Sequence, residues 1–353
     1  MLQKHASNSV MTVIRSKYSH RLTDEDYNEL FRCKNVADIA AYLKSRTKYS
    51  GFITENLPQN MHRGYLENCL KNSLYSEYAQ IGHYCWLVGE EFYRYIIMLC
   101  EMRMLSSCLR NVFSGHAVVV KRLEFPEFIK KHADFDYDSL TAAADFNDLL
   151  RRLKGSRYEK VLKQFTESGE KTDYGAIDAM LHRHVRESMM SFFRKSYKGE
   201  TRDELLRLLS MQCDLVNLMY IYRLKFIMEI SPKYITPYLL PAGKYLTDKD
   251  ISSLLDAANT DVFIERASRT VLGRLIGLED MDFAETKAVD ILFGASRKNL
   301  YFSSDPPVAI YSYILLAETE INNITHIIEG IRYGMSRDEI GRLLVNVNVG
   351  GDS

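Results

Sequence analysis

Three stretches of this chain are variations on one another, and that triplication constrains the fold more than any other property of the sequence. The clearest copy, Glu320-Ile-Asn-Asn323-Ile, lies inside a long apolar segment; weaker copies are Asp214-Leu-Val-Asn217-Leu and Glu101-Met-Arg-Met104-Leu. An independent marker, an Asp-x-Asp pair, recurs at Asp24, Asp136 and Asp248, an even interval of 112 residues (24, 136, 248). Two markers on nearly one period mean one unit used three times, over 1–115, 116–230 and 231–353.

The units are helical. Seven Pro and eighteen Gly are few for 353 residues, and the abundance of Leu, Met, Tyr, Arg, Lys, Glu and Ala favours helix over strand, so the expected class is all-α. Each unit opens on small helices. Thr23-Asp-Glu-Asp26 and Thr247-Asp-Lys-Asp250 have a capping hydroxyl followed by acids in the first turn, where the helix dipole favours negative charge. The middle unit has Asp136-Tyr-Asp-Ser-Leu140 at the same place, and a second short helix runs Val36 to Leu43 in the first unit.

A long helix then closes each unit: about Glu90 to Val112, Arg202 to Glu229 and Pro307 to Arg332. Pro suits the first turn of the last one, and Gly334 its end. Ser336 and Glu339 form a capping box for a final short helix, with Ile340, Leu343 and Leu344 on one face. Asn346 to Ser353 is expected to fray, and the polar stretches Ser114 to Lys121 and Ser231 to Gly243 are the expected joints.

Composition excludes several functions. Lys+Arg and Asp+Glu are 46 each, so no basic surplus argues for nucleic acid. Six Cys without a Cys-x-x-Cys pair, behind a start lacking a signal-peptide apolar core, read as reduced thiols in a cytosolic protein. The most apolar stretches, Phe92 to Leu109 and Cys213 to Met228, carry charges and fall short of the ~20 apolar residues that span a bilayer. Any membrane association is therefore expected to go through another protein or a surface contact. The Asn323-Ile-Thr325 sequon lies mid-helix in a chain with no secretion signal and carries no meaning. Trp86 and the many Tyr read as core and interface fillers.

No catalytic, cofactor-binding or metal-binding set stands out. His182-x-His184 with Asp178 is the nearest to a metal site, but residues two apart on a helix point about 200° from each other. Asp24-x-Asp26 is better read as a helix cap than as an acidic metal pair. The phosphate loop Gly-x-x-x-x-Gly-Lys-Ser/Thr is missing. Glu320 and Asn323, three apart, share one helix face surrounded by Ile321, Ile324, Ile327 and Ile328. Left without partners, such groups would each cost ~1–3 kcal/mol, so the pair reads as a polar device that sets helix register. A cytosolic helical-repeat scaffold is the alternative to the reading below, although such solenoids use units of ~34–47 residues.

At these residues the chain resembles the C-subunit family of prokaryotic V-type (archaeal A-type) ATPases, whose eukaryotic equivalent is the d subunit of V-type ATPases. The resemblance rests on Glu320-Ile-Asn-Asn323-Ile followed by Gly330-Ile-Arg332-Tyr-Gly334, on Glu339-Ile-Gly-Arg-Leu343, and on Arg15-Ser-Lys17 with Leu22-Thr-Asp-Glu-Asp26-Tyr27. It runs from about residue 9 to 345. By this resemblance Glu101, Asp214 and Asn217 belong to the same structural motif as Glu320 and Asn323. Met104 stands where the other helices carry Asn, and Glu329 where family members often carry a basic residue. The resemblance implies a non-catalytic funnel of three similar helical units with pseudo-threefold symmetry, without cofactor or metal. Such a protein would lie peripherally on the cytoplasmic face of the membrane, joining central-stalk subunits to the rotor-ring (proteolipid) subunits and transmitting torque.

Overall fold

The computed structural model describes residues 2–53, 62–114, 123–167, 174–281 and 283–348, and these are helical without a β-strand. In chain order the helices are α1 (Leu2–Ser19), α2 (Asp24–Arg32), α3 (Val36–Arg46), α4 (Arg63–Leu87), α5 (Tyr93–Ser114), α6 (Glu127–His132), α7 (Tyr137–Thr141), α8 (Phe146–Arg152) and α9 (Glu159–Glu167). They continue with α10 (Tyr174–Ser196), α11 (Gly199–Tyr222), α12 (Pro232–Ile235), α13 (Asp248–Leu255), α14 (Thr260–Arg269), α15 (Val271–Ile276), α16 (Ala284–Phe302), α17 (Pro306–Tyr333) and α18 (Arg337–Gly341).

A local plan recurs three times. Two short helices, α2/α3, α7/α8 and α13/α14, are each capped by a side chain. Thr23, Asp136 and Thr247 accept from the third residue of the first helix; Asn35, Asp145 and Asn259 do the same for the second. The even Asp-x-Asp spacing conceals a shift of one residue. Asp136 is itself the cap of α7, whereas Asp24 and Asp248 are first helical residues behind a capping Thr.

Two long helices follow in each copy, α4/α5, α10/α11 and α16/α17, where the sequence pattern marked only the second of each pair. The expected joint Ser231 to Gly243 holds α12 and a 3₁₀ turn, Thr236–Tyr238, because Pro232 and Pro237 each sit in a first turn. The other expected joint lies largely outside the described residues, as does the chain beyond 348.

The chain divides into two compact units that do not follow the repeats. The first comprises Met1–Glu90, Val119–Pro126 and Thr286–Ser353; the second Glu91–Val118 and Glu127–Glu285. The cause lies in the long helices. In the first unit α17 packs on α1, α2, α3 and α4, and its residues from Pro307 to Ala317 are all buried, so this N-terminal part is enclosed on every side. In the second unit α5 packs on α6, α7, α8 and α10, with Tyr95 to Met102 all buried, and α11 packs on α10, α13 and α15. Helices apolar all round belong at the centre of a core. The closing helix of one copy thus forms the core against helices of the next, and α17 does so against helices of the first.

Two helix ends depart from the sequence pattern. α11 does not run regularly to Glu229: from Arg223 to Ile227 it widens into a π turn, and Glu229 sits at φ 54°. The Lys225 ammonium donates to the Leu255 and Ala257 carbonyls, satisfying the C-terminal end of α13. Gly334 ends α17 in the left-handed region at φ 67°, where glycine has no Cβ penalty.

Candidate functional site

On α17, Glu320 is buried, and its carboxylate holds three groups from the first repeat. Oε2 accepts from the Leu22 backbone N–H at 2.8 Å; Oε1 accepts from the Tyr49 hydroxyl at 2.6 Å and faces Lys48 Nζ at 3.0 Å. Lys48 also faces Glu77 at 3.3 Å, and Glu77 accepts from the Tyr313 hydroxyl. Burial opposes the Lys48 charge, but Glu320 and then Glu77 outweigh it and hold the ammonium above its ordinary pKa. Burial and the Glu320 carboxylate likewise push the Tyr49 phenol well up, so it stays a donor.

The other two long helices repeat the device. Glu101 on α5, fully buried, accepts from the Asp134 N–H and the Tyr158 hydroxyl, both at 2.6 Å. Burial raises its pKa against the pull of Arg157. Asp214 on α11, also fully buried, accepts from the N–H groups of Gly243 (2.7 Å), Tyr245 (2.8 Å) and Leu246 (3.1 Å). Burial pushes its carboxyl up to about 6, opposed by those three donors. Leu22 and Leu246 lie one residue, and Asp134 two residues, before the cap of a first short helix. Each closing helix therefore latches the backbone that leads into another copy: Glu101 the second, Asp214 the third, Glu320 the first.

Beside two of the latches is an amide clamp. Asn217 donates to the Leu240 carbonyl (3.1 Å) and accepts from its N–H (2.7 Å); Asn323 does the same to Val345, both at 3.0 Å. Glu320 and Asn323 thus share a helix face, as expected, but each is satisfied by a different distant segment. Gly330 lets α18 approach, since a Cβ there would lie 2.3 Å from Ile340 Cγ1. Glu329 pairs with Arg63 at 2.7 Å, while Arg332 is exposed and lies over the Tyr333 ring. Asn323→Leu is expected to destabilise the fold by about 1–3 kcal/mol, because both Val345 backbone groups lose their partner. A chemical-denaturation midpoint equal to wild type would show that the clamp contributes nothing.

The structure does not bring His182 and His184 together. His182 Nε2 lies 3.2 Å from Ser106 Oγ and 3.7 Å from Asp178, while His184 meets the Tyr158 ring edge-on. Ser106 donates to Asp178 at 2.6 Å. This is not a nucleophile–base pair, since the hydroxyl proton points to the carboxylate. Among the described residues no three His, Cys, Asp or Glu converge on a metal position.

Burial lowers the His182 pKa to about 4, against Asp178 and with help from Arg186 and Arg103. A base depressed in the folded state adds stability that is complete above its unfolded pKa, ~6.5, and is lost as pH falls towards 4. Relative to His182→Gln, the wild type should lose about 1–3 kcal/mol between pH 7 and 4, a range trimmed for a side chain one-third exposed. Parallel stability–pH curves for the two proteins would refute this.

Large apolar side chains stand exposed at helix ends: Trp86 and Leu87 at the end of α4, Tyr301 and Phe302 at the end of α16, Ile227 and Met228 after α11. Trp86, expected as a core or interface filler, lies outside the core. No helix among the described residues is long and apolar enough to cross a membrane.

Residues 10–343 match the family described as ATP synthase (C/AC39) subunit. The chain is also similar to the C subunit of the A-type ATP synthase of Methanosarcina barkeri (strain Fusaro / DSM 804), 21% identical over 344 residues, which covers 95% of this chain and 91% of that protein. The matched residues include all three latches, the Asn217 clamp and Asn323, and the match shows that this chain belongs to the ATP synthase (C/AC39) subunit family, the structural and non-catalytic C or d subunits of V/A-type ATPases.

Proposed function

We propose that the protein is the socket of a V/A-type rotary ATPase, joining central-stalk subunits to the membrane rotor ring and passing torque between ATP turnover and ion movement. The observation that carries this reading is the cyclic latch pattern. A carboxylate on each closing helix fixes the start of another copy, and the last returns to the first. Such a pattern suits three similar units, near 1–115, 116–230 and 231–353, set around an approximate threefold axis as a funnel. A coupling element must resist twisting, and buried charge-assisted bonds between copies supply stiffness that apolar packing alone does not.

The protein works on the cytoplasmic face and meets the membrane through the ring. Its contacts with stalk and ring are partly polar, as befits interfaces between proteins that fold separately. It holds neither metal nor cofactor, and the ATP is hydrolysed or made elsewhere in the complex.

The test is removal and return of the protein in vesicles carrying the purified complex. Without it, ATP hydrolysis should persist while ion transport ceases, and adding the purified protein should restore transport. Transport that stays coupled in its absence would end the socket reading. Recovery of the tagged protein with soluble partners only would favour the scaffold reading.

A further inference from the structure

In the second compact unit, next to the Asp214 latch, a cavity of about 330 Å³ opens to solvent between α10, α11 and the segment 242–244. Its lining includes Met190 and Arg194 from α10, Leu206, Arg207 and Ser210 from α11, and Lys244. We propose that this cavity is a binding site for a phosphate-bearing anion.

The balance of charge supports the assignment. Arg207 is neutralised by Glu204, which accepts two bonds at 2.6 and 2.7 Å. Asp203, the one acid in the lining, is neutralised by Arg202 at 2.7 Å. Arg194 and Lys244 have no hydrogen bond or ion pair among the described residues, and the Ser210 hydroxyl is also uncommitted among them. The lining therefore offers two positive charges without an ion pair and a hydroxyl donor, with the Asp214 carboxylate behind the Gly243 backbone and held there by its own N–H donors. A phosphate dianion matches that set, whereas a single carboxylate would leave one charge over.

The wall is also fixed in advance. Gly243, beside Lys244, donates its N–H to Asp214, and so does Tyr245 on the other side, so the backbone carrying the lysine is pinned at both neighbours. Preorganised donors reduce the ordering cost of binding. Met190 and Leu206 add an apolar wall beside the two cations, which themselves stay exposed. At this volume, the low end of the ~300–1,000 Å³ typical of ligand sites, the ligand is a phosphate group with a small attachment rather than a large cofactor.

The full chain is to be titrated calorimetrically with pyrophosphate at low salt, and in parallel with vesicles bearing a phosphoinositide headgroup. The second arm separates a lipid source from a free one. Saturable binding in either arm is expected, weakened about tenfold or more by Arg194→Gln/Lys244→Gln and less than about twofold by the remote pair Arg110→Gln/Lys160→Gln. All four side chains are exposed, so folding should be unaffected. Should the first pair melt early, Lys244→Gln alone, expected to weaken binding about threefold, decides the matter. The proposal is overturned by equal weakening in both pairs, by no saturation up to about 10 mM in either arm, or by binding of an aspartate-rich peptide without binding of phosphate.

Discussion

Glu320→Ala should cost about 3–5 kcal/mol of stability, the range found when one partner of a buried ion pair is removed. Three groups lose their acceptor at once. The Leu22 N–H and the Tyr49 hydroxyl, both buried, have no other acceptor among the described residues, and Lys48 keeps only Glu77. Each stranded donor costs about 1–3 kcal/mol, and the residual Lys48–Glu77 contact keeps the total from rising further.

Two companions divide the effect. Tyr49→Phe should cost about 1–2 kcal/mol, because one bond goes and the ring stays. Cutting the exposed Glu265–Arg269 pair should cost at most ~0.5 kcal/mol, since water and entropy already cancel most of it. Guanidinium midpoints at constant m-value would measure all three. A Glu320→Ala protein within about 1 kcal/mol of wild type would mean that water replaces the lost partners and that the latch is not structural.

What could be read in the sequence follows from how far apart the partners are. The capping box at Ser336/Glu339 and the capping threonines Thr23 and Thr247 were legible because the partners lie within three residues, while the return bonds of Asp26 and Asp250, read only as dipole partners, emerge from the structure. The carboxylates at 101, 214 and 320 were legible as polar residues repeating inside apolar helices. Their partners were not, since Glu320 finds Leu22 across 298 residues and no local rule links them.

The long helices α4, α10 and α16 also escaped the pattern. In α4 the buried face includes Asn68, Asn72 and Ser73, so no apolar stripe marks it. Asn72 is satisfied there by accepting from the Glu124 N–H at 3.0 Å. The missing third clamp was visible as Met104, a buried thioether with no amide to offer. The boundaries of the compact units were not visible. The repeat ends after its long helix, whereas the packing boundary falls before it, at Glu90.

The Asp214 latch makes a second strong prediction, because Gly243 meets it with no room to spare. A Cβ at 243 would lie 2.4 Å from Asp214 Oδ2 and 2.8 Å from its carboxyl carbon. The carboxylate cannot step aside without releasing the Gly243, Tyr245 and Leu246 N–H groups. Gly243→Ala should therefore cost about 2–4 kcal/mol, the sum of one or two stranded donors and local repacking. Backbone strain does not contribute, as Gly243 is not among the glycines with positive φ.

Removing the obstacle should remove most of the cost. In Asp214→Ala, itself destabilised, adding Gly243→Ala should cost under about 1 kcal/mol, so the two changes are strongly non-additive. Asp214→Asn separates charge from shape. Its amide can accept at one oxygen only, and its NH₂ would face a backbone donor, so it should lie nearer to Ala than to wild type. Denaturation midpoints of the four proteins in the cycle give the coupling directly. If Gly243→Ala costs the same whether or not Asp214 is present, the tight contact is relieved by some other movement, and the glycine is not there to make room for the latch.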